Sequence, residues 1–138
     1  MSSVLILDTG PLVALLSRND RYHTWAKEQF SLYSGPFLTC ESVISETCFI
    51  LHKQGFDPAK VLSLVERGVI QLPFNLDEQI TSVRALFERY DNVPASLADA
   101  CLIRMSELYD PCQIVTIDAD FHVYRRHGRK SIPLITPQ

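Results

Sequence analysis

The sequence lacks the features that mark several large classes of protein. Its 138 residues carry a net charge of −3, so there is no overall basic excess of the kind that coats nucleic acid. No apolar run approaches the length of a membrane span. No basic segment precedes the apolar run at Val4, so we expect no signal peptide and a cytoplasmic location. A role on nucleic acid would therefore depend on a local patch or on bound metal ions.

Cysteine and histidine motifs are also missing. The four cysteines include no Cys-x-x-Cys pair, and Cys48 and Cys101 fall in apolar helical patterns. These positions are typical of buried free thiols rather than of disulfides. The four histidines have no spacing typical of a zinc site.

What the chain does contain is a regular alternation of short strands and helices. Hydrophobic residues make up 46% of the chain, enough for one domain that we expect to span residues 1–138. Buried strands are predicted at 4–7 and 113–117, and shorter ones at 37–39, 69–72 and 133–135. Helices are predicted at 12–16, 22–33, 42–53, 58–67, 77–89 and 96–108. This alternation predicts an α/β fold with a mainly parallel sheet.

Acidic residues follow the two buried strands. Asp8 comes directly after the first strand, Asp118 comes after the strand at 113–117, and Asp120 lies two residues further on. Because the carboxyl ends of parallel strands meet at one crevice, we expect these acids to lie together. Local roles are also open, since Asp8 fits a turn before Gly10 and Asp118 fits the N-cap of a short helical segment.

Two further acids lie within apolar helical patterns. Glu46 has Val43 and Ile50 as its i−3 and i+4 neighbours, and Asp99 is similarly surrounded by apolar residues. A carboxylate on an apolar face is costly without a partner, and no Lys or Arg lies within helical reach. A divalent cation is the economical partner for several such acids. Asp99 also fits a capping box that starts at Ser96, and this alternative stays open.

Four short segments with acidic residues follow one another along the chain: Leu7–Leu12, Ser45-Glu46, Leu97–Ala100 and Thr116–Phe121. They resemble the motifs of PIN-domain nucleases. Their order and spacing match the family across nearly the whole chain, and the length is similar to that of single-domain VapC-type toxins.

The resemblance implies a fold, an activity and a set of site residues. It implies a three-layer α/β/α fold with a central parallel sheet, and endonucleolytic cleavage of RNA with Mg²⁺ or Mn²⁺. It also implies a homodimer and, for the toxin branch, a bound antitoxin protein. The site residues implied are the metal ligands Asp8, Glu46, Asp99 and Asp118, the more variable acid Asp120, and the neighbouring hydroxyls Thr9 and Thr116.

Three other functions fit part of the same sequence. The same fold would serve a housekeeping RNA-processing nuclease, or a regulator that binds RNA without cleaving it. The triplet Asp8-Thr9-Gly10 also occurs in aspartic proteases, which are all-β proteins. A protease would leave Glu46 and Asp99 without a role.

The densest basic cluster is the segment from Tyr124 to Lys130. It follows Asp118 closely, so its cations are candidates to hold RNA phosphates beside the crevice. These candidates are Arg125, Arg126, Arg129 and Lys130. A solvated surface loop is the alternative. Trp25 and nearby tyrosines would suit base stacking, although packing in the core or at a dimer interface explains them better.

Overall fold

A computed structural model describes residues 3–93 and 95–137. Five strands form one sheet in the order β3-β2-β1-β4-β7, and every pair of neighbours in it is parallel. Two further strands, β5 and β6, form an antiparallel hairpin. The strands are β1 (Val4–Leu7), β2 (Phe37–Leu38), β3 (Ile70–Gln71), β4 (Cys112–Val115), β5 (Arg125–Arg126), β6 (Lys130–Ser131) and β7 (Leu134–Ile135). The predicted parallel sheet is therefore confirmed, and an all-β protease fold is excluded.

Helices connect the parallel strands. They are α1 (Thr9–Leu16), α2 (His23–Leu32), α3 (Glu41–Lys53), α4 (Ala59–Glu66), α5 (Leu76–Arg89) and α6 (Leu97–Leu108). The connections from β1 to β3 run in one direction along the sheet, and the connection from β3 to β4 returns across it. Right-handed crossovers then place these two groups of helices on opposite faces. The result is the expected three-layer α/β/α fold.

Helix α1 begins three residues before its predicted start, and the other five helices begin within one residue of theirs. Helix α1 begins at Thr9 rather than Leu12, because the Asp8 carboxylate accepts a hydrogen bond from the Thr9 N–H at 2.8 Å and caps the helix. Helix α4 begins at Ala59, one residue later than predicted. Asp57 still acts as a cap, since its side chain accepts from the Ala59 N–H at 2.9 Å.

The pairing of β1 with β4 places the two main acidic strand ends side by side. Leu7 is paired with Val115, and the Asp8 N–H donates to the Val115 carbonyl at 3.0 Å. The strand order reverses between these strands, which makes this the topological switch point of the sheet. Ligand crevices of α/β sheets form at the carboxyl ends of strands at such a point.

Residues at the carboxyl ends of β1 and β4 belong to the hydrophobic core. The side chains of Ile6, Leu7, Ile114 and Val115 are fully buried, as are Leu102 and Ile103 of α6. All four cysteines are free thiols, as predicted, but only Cys40, Cys101 and Cys112 are buried, and Cys48 is half-buried. Within the described ranges, no helix has the length and apolar character needed to cross a membrane.

Candidate active site

An acidic cleft opens at the carboxyl ends of β1 and β4. It has a volume of about 560 Å³ and is bordered by α1, α3 and the start of α6. None of the described residues that line it is Lys, Arg or His. Its acidic lining residues are Asp8, Asp20, Glu46, Asp99, Asp118 and Asp120. The fold thus brings all five predicted acids into one cleft and adds Asp20, which the sequence reasoning missed.

Asp8 lies at the base of the cleft and is held by two donors. Its Oδ1 accepts the Thr9 N–H at 2.8 Å, and its Oδ2 accepts the Thr116 hydroxyl at 2.7 Å. The pKa of Asp8 is raised to about 7, mainly by burial and to a smaller extent by the charges of Asp99 and Asp118, although these hydrogen bonds lower it. Asp8 is therefore a buried carboxylate without a cationic partner among the described residues.

Thr116 joins the two strand ends. Its hydroxyl donates to Asp8 and accepts the Asp118 N–H at 3.0 Å, and the residue is fully buried. Asp118 in turn accepts the Asp120 N–H at 2.9 Å and caps the short 3₁₀ turn Ala119–His122. The capping role predicted as an alternative for Asp118 is present, and it coexists with a place in the cleft.

Asp99 forms the capping box that the sequence left open, and it also lines the cleft. The Ser96 hydroxyl accepts the Asp99 N–H at 3.0 Å and the Asp99 Oδ2 accepts the Ser96 N–H at 3.2 Å, which completes the capping box. The Tyr124 hydroxyl donates to the same Oδ2 atom at 3.1 Å. The other oxygen, Oδ1, accepts no hydrogen bond from a described residue, while Asp99 also lines the cleft. Burial raises the pKa of Asp99, with smaller contributions from Asp118 and Glu46.

Tyr124 is a site residue that the sequence reasoning missed. In the sequence it is the first residue of the basic cluster, but in the structure its side chain is fully buried. Its ring packs edge-on against Tyr90 and Phe121, with centroids 4.9 and 5.1 Å away. Burial and the neighbouring Asp99 raise the pKa of Tyr124, so the phenol stays a neutral hydrogen-bond donor. The available signal was the Phe121-x-x-Tyr124 spacing, which puts two aromatic rings on one side of a helical turn.

Glu46 lies in the cleft but is not buried. The sequence argument placed it on an apolar face where burial would be costly, and that part of the argument is wrong, because the side chain is exposed. Its neighbour Val43 is fully buried, whereas Ile50 lines the open cleft beside it. The apolar face of α3 is therefore buried at Val43 but borders the open cleft near Glu46. The Thr9 hydroxyl donates to Glu46 Oε2 at 3.3 Å, which links the first acidic motif to the second.

The basic segment after the cleft does not form the predicted phosphate-binding patch at Arg125 and Arg126. Arg126 is only 6% exposed, pairs with Asp110 at 3.1 Å and donates to Cys112 Sγ at 3.4 Å. Asp110 precedes β4, so this contact lies at the end of the strand away from the cleft. The Arg125 guanidinium donates to the backbone carbonyls of residues 122–124. Both arginines are thus used to build the structure.

The turn of the β5–β6 hairpin lies beside the far end of α6. The His127 N–H donates to Glu107 at 2.7 Å, and Glu107 lies eight residues, or about 12 Å, along α6 from Asp99. His127 and Gly128 both have positive φ values, which gives the tight turn. Arg129 and Lys130 remain exposed at this turn. The turn that carries the exposed cations of the predicted cluster therefore lies at the end of α6 away from Asp99.

The donor set of the cleft fits a hard divalent cation. It offers carboxylate and hydroxyl oxygens, and the buried Asp8 carboxylate has a raised pKa that a nearby cation would lower. As placed, no group of three Asp, Glu, His or Cys side chains among the described residues is arranged to hold one ion. Binding an ion would therefore require the acids to draw together.

A family profile described as the PIN domain matches residues 5–126. No curated protein sequence gives a significant match. The fold is similar to the crystal structure of VapC20 from Mycobacterium tuberculosis, a toxin that cleaves the sarcin–ricin loop, with a TM-score of 0.74. That alignment has 20% sequence identity and covers 86% of this chain and 93% of that chain, so it is a likeness of fold.

Proposed function

Because the chain belongs to the PIN-domain family, we propose that it is a metal-dependent endoribonuclease that hydrolyses phosphodiester bonds in RNA. The observation that carries the proposal is the acidic cleft, in which four separate motifs supply Asp8, Glu46, Asp99 and Asp118 with no cation among the described lining residues. We take residues 1–138 as one nuclease domain.

The four acids would hold the metal, with Asp120 as an additional acid. A bound Mg²⁺ or Mn²⁺ supplies positive charge that stabilises the phosphate during attack and lowers the pKa of the attacking water. Hydrolysis would join the water oxygen to phosphorus, break the bond between phosphorus and the 3′ oxygen, and transfer a proton from the water to that 3′ oxygen.

The protein's own contribution is to orient the acids. The Thr9 N–H and the Thr116 hydroxyl fix the two oxygens of Asp8, and the Thr9 hydroxyl holds Glu46. Such partners set the direction of a metal ligand and support its affinity for the ion. Since Asp8 must lose its proton to bind metal, affinity should fall as the pH drops through about 7.

The proposal is tested by metal-dependent cleavage of RNA by the purified chain. Cleavage should appear with Mg²⁺ or Mn²⁺, stop with chelator and be absent in Asp8→Asn, whose folding is checked by circular dichroism. Full cleavage by a rigorously purified Asp8→Asn preparation would show that the activity comes from elsewhere. Metal-independent binding of RNA without cleavage would instead favour a regulator with the same fold.

We further propose that the nuclease is the toxin of a toxin–antitoxin pair and acts in the cytoplasm. The support is the similarity of its fold to VapC20, which is a toxin. Expression should arrest growth, Asp8→Asn should not, and co-expression of a short reading frame beside the gene should relieve the arrest. Arrest that no neighbouring gene relieves, together with RNA cleavage, would favour the housekeeping alternative.

Protein partners are part of the same proposal. Several large apolar side chains on the helices are exposed, among them Phe49 at 64% and Leu62 at 55%. Exposed apolar groups of this size are suited to protein interfaces, and we propose a homodimer and an antitoxin as the partners. Light scattering of the isolated chain should give the mass of a dimer, and a monomer mass at micromolar concentration would count against it.

A further inference from the structure

A second hollow adjoins the acidic cleft at the loop between α1 and α2. It has a volume of about 460 Å³ and lies between residues 17–21 and the end of α3. Asp20 and Gln54 line both the hollow and the acidic cleft, so the two are continuous. Around it lie two exposed arginines and two half-buried aromatic rings that we call the basic rim: Arg18, Arg21, Tyr22 and Phe56.

The arginines of the basic rim are held by aromatic rings. The Arg18 guanidinium lies over the Phe56 ring at 5.6 Å, and the Arg21 guanidinium lies over the Tyr22 ring at 5.2 Å. This contact restrains a guanidinium and leaves its N–H groups available as donors. Neither arginine forms an ion pair with any residue in the described part of the chain. They differ in this from Arg126, which is buried and forms an ion pair with Asp110.

The loop that carries these arginines is ordered by its own hydrogen bonds. The Asp20 carboxylate accepts the Tyr22 N–H at 2.8 Å, and the Asp20 N–H donates to the Ser17 carbonyl at 3.0 Å. The His23 ring is hydrogen-bonded to the Ala14 carbonyl at 2.7 Å, which ties the start of α2 to α1. The rim therefore presents its cations from a defined turn beside the cleft.

RNA is a polyanion, so a positively charged surface beside the acidic cleft would favour its binding. The cleft has six carboxylates and no cation among its described lining residues, so the strands of RNA beside the scissile bond would be repelled there. A polyanion gains most of its affinity from Lys and Arg contacts to phosphate, and single-stranded RNA adds stacking on rings or guanidinium planes. The basic rim offers both kinds of group next to the acids.

We propose that the basic rim is the binding site for the single-stranded RNA that flanks the scissile bond. Arg18 and Arg21 contact backbone phosphates and stack with bases. This inference rests on the proposed nuclease function, and it replaces the predicted patch at residues 125–130.

The test compares two double substitutions that remove the same charge. Arg18→Gln with Arg21→Gln removes the rim, and Arg129→Gln with Lys130→Gln removes exposed cations from the distant hairpin. Both are made in the Asp8→Asn background so that the probe, a short fluorescein-labelled single-stranded RNA, stays intact. Binding is measured by fluorescence anisotropy over a range of salt concentrations. Thermal melting confirms that each variant is folded.

The rim variant should lose about tenfold or more in affinity. Its plot of log affinity against log salt should flatten by about 1.4, if each arginine contacts one phosphate of the single strand. The hairpin variant should bind as the parent does. An unchanged salt slope in the rim variant, or an equal loss in the hairpin variant, would overturn the inference.

A third variant separates stacking from charge. Phe56→Leu keeps both arginines but removes the ring under Arg18, so affinity should fall several-fold with the salt slope unchanged. A parent-like affinity would overturn the role of the ring. Failure of the nuclease proposal is a different result, namely no cleavage by the unsubstituted chain with either metal. That result does not depend on where RNA binds.

Discussion

Replacing Tyr124 by Phe should weaken metal binding at the acidic cleft while leaving the fold intact. The substitution removes one hydroxyl, which donates to Asp99 Oδ2 at 3.1 Å, and it keeps the ring that packs on Tyr90 and Phe121. Asp99 would then be held at that oxygen only by the Ser96 N–H at 3.2 Å. The carboxylate would gain freedom to rotate away from the cleft.

The expected size of the effect follows from the type of bond and its burial. A hydrogen bond to a charged group contributes about 1.5–3 kcal/mol, and loss of a residue that orients a metal ligand typically costs 10–100-fold in affinity. Asp99 is only half-buried, so water replaces part of the lost interaction. We therefore expect the lower end of this range, about tenfold, in the dissociation constant for Mn²⁺.

The assay is a calorimetric titration of Mn²⁺ into the protein, with RNA cleavage measured in parallel. Tyr90→Phe is the matched control, because its hydroxyl lies in the same aromatic cluster but accepts the Arg125 N–H at 2.8 Å. Tyr90→Phe should lose about 1–2 kcal/mol of unfolding free energy and keep its affinity for Mn²⁺. Parent-like Mn²⁺ binding by Tyr124→Phe, or an equal loss in Tyr90→Phe, would refute the positioning role.

Three further predictions concern pH, the strand ends and the hairpin. Burial raises the pKa of Asp8 to about 7, whereas Asp8 in the unfolded chain titrates near pH 4. Between these two pH values the folded metal-free protein binds one more proton than the unfolded chain, so the free energy of unfolding falls as the pH rises. Urea unfolding at pH 8 without metal should therefore show Asp8→Asn more stable by on the order of 2–4 kcal/mol, and no gain would contradict the burial of an unpaired charge. Thr116→Val keeps the shape of the side chain but removes the link from Asp8 to Asp118, so cleavage should fall by about tenfold or more, and a parent-like rate would be inconsistent with it. Arg126→Ala should lower the free energy of unfolding by about 2–4 kcal/mol, because it leaves a cavity where the buried side chain lay. It should not change the affinity for RNA. Weaker RNA binding would indicate that the hairpin is a binding surface.

Much of the fold follows from patterns that are local in the sequence. The apolar run before Asp8 and the β-branched run before Asp118 predict buried strands, because only a strand covered on both faces tolerates such runs. Once the sheet is parallel, the strand ends must share one edge, and two acids are placed together without knowledge of any contact. Asp99 was also predictable as a cap, since the box from Ser96 is a local pattern.

Only the tertiary structure decided which groups hold those acids and which cations remain free. Thr116 bonds to Asp8 across 108 positions, and Tyr124 bonds to Asp99 across 25, separations that no helical or strand period encodes. The density of positive charge in the sequence favoured the segment 125–130, but folding uses Arg126 inside the hairpin. The free arginines beside the cleft come instead from a loop whose neighbours in space, the end of α3 among them, lie far away in the chain. Local periodicity determines elements and their ends, whereas burial and side-chain partners depend on how distant elements pack.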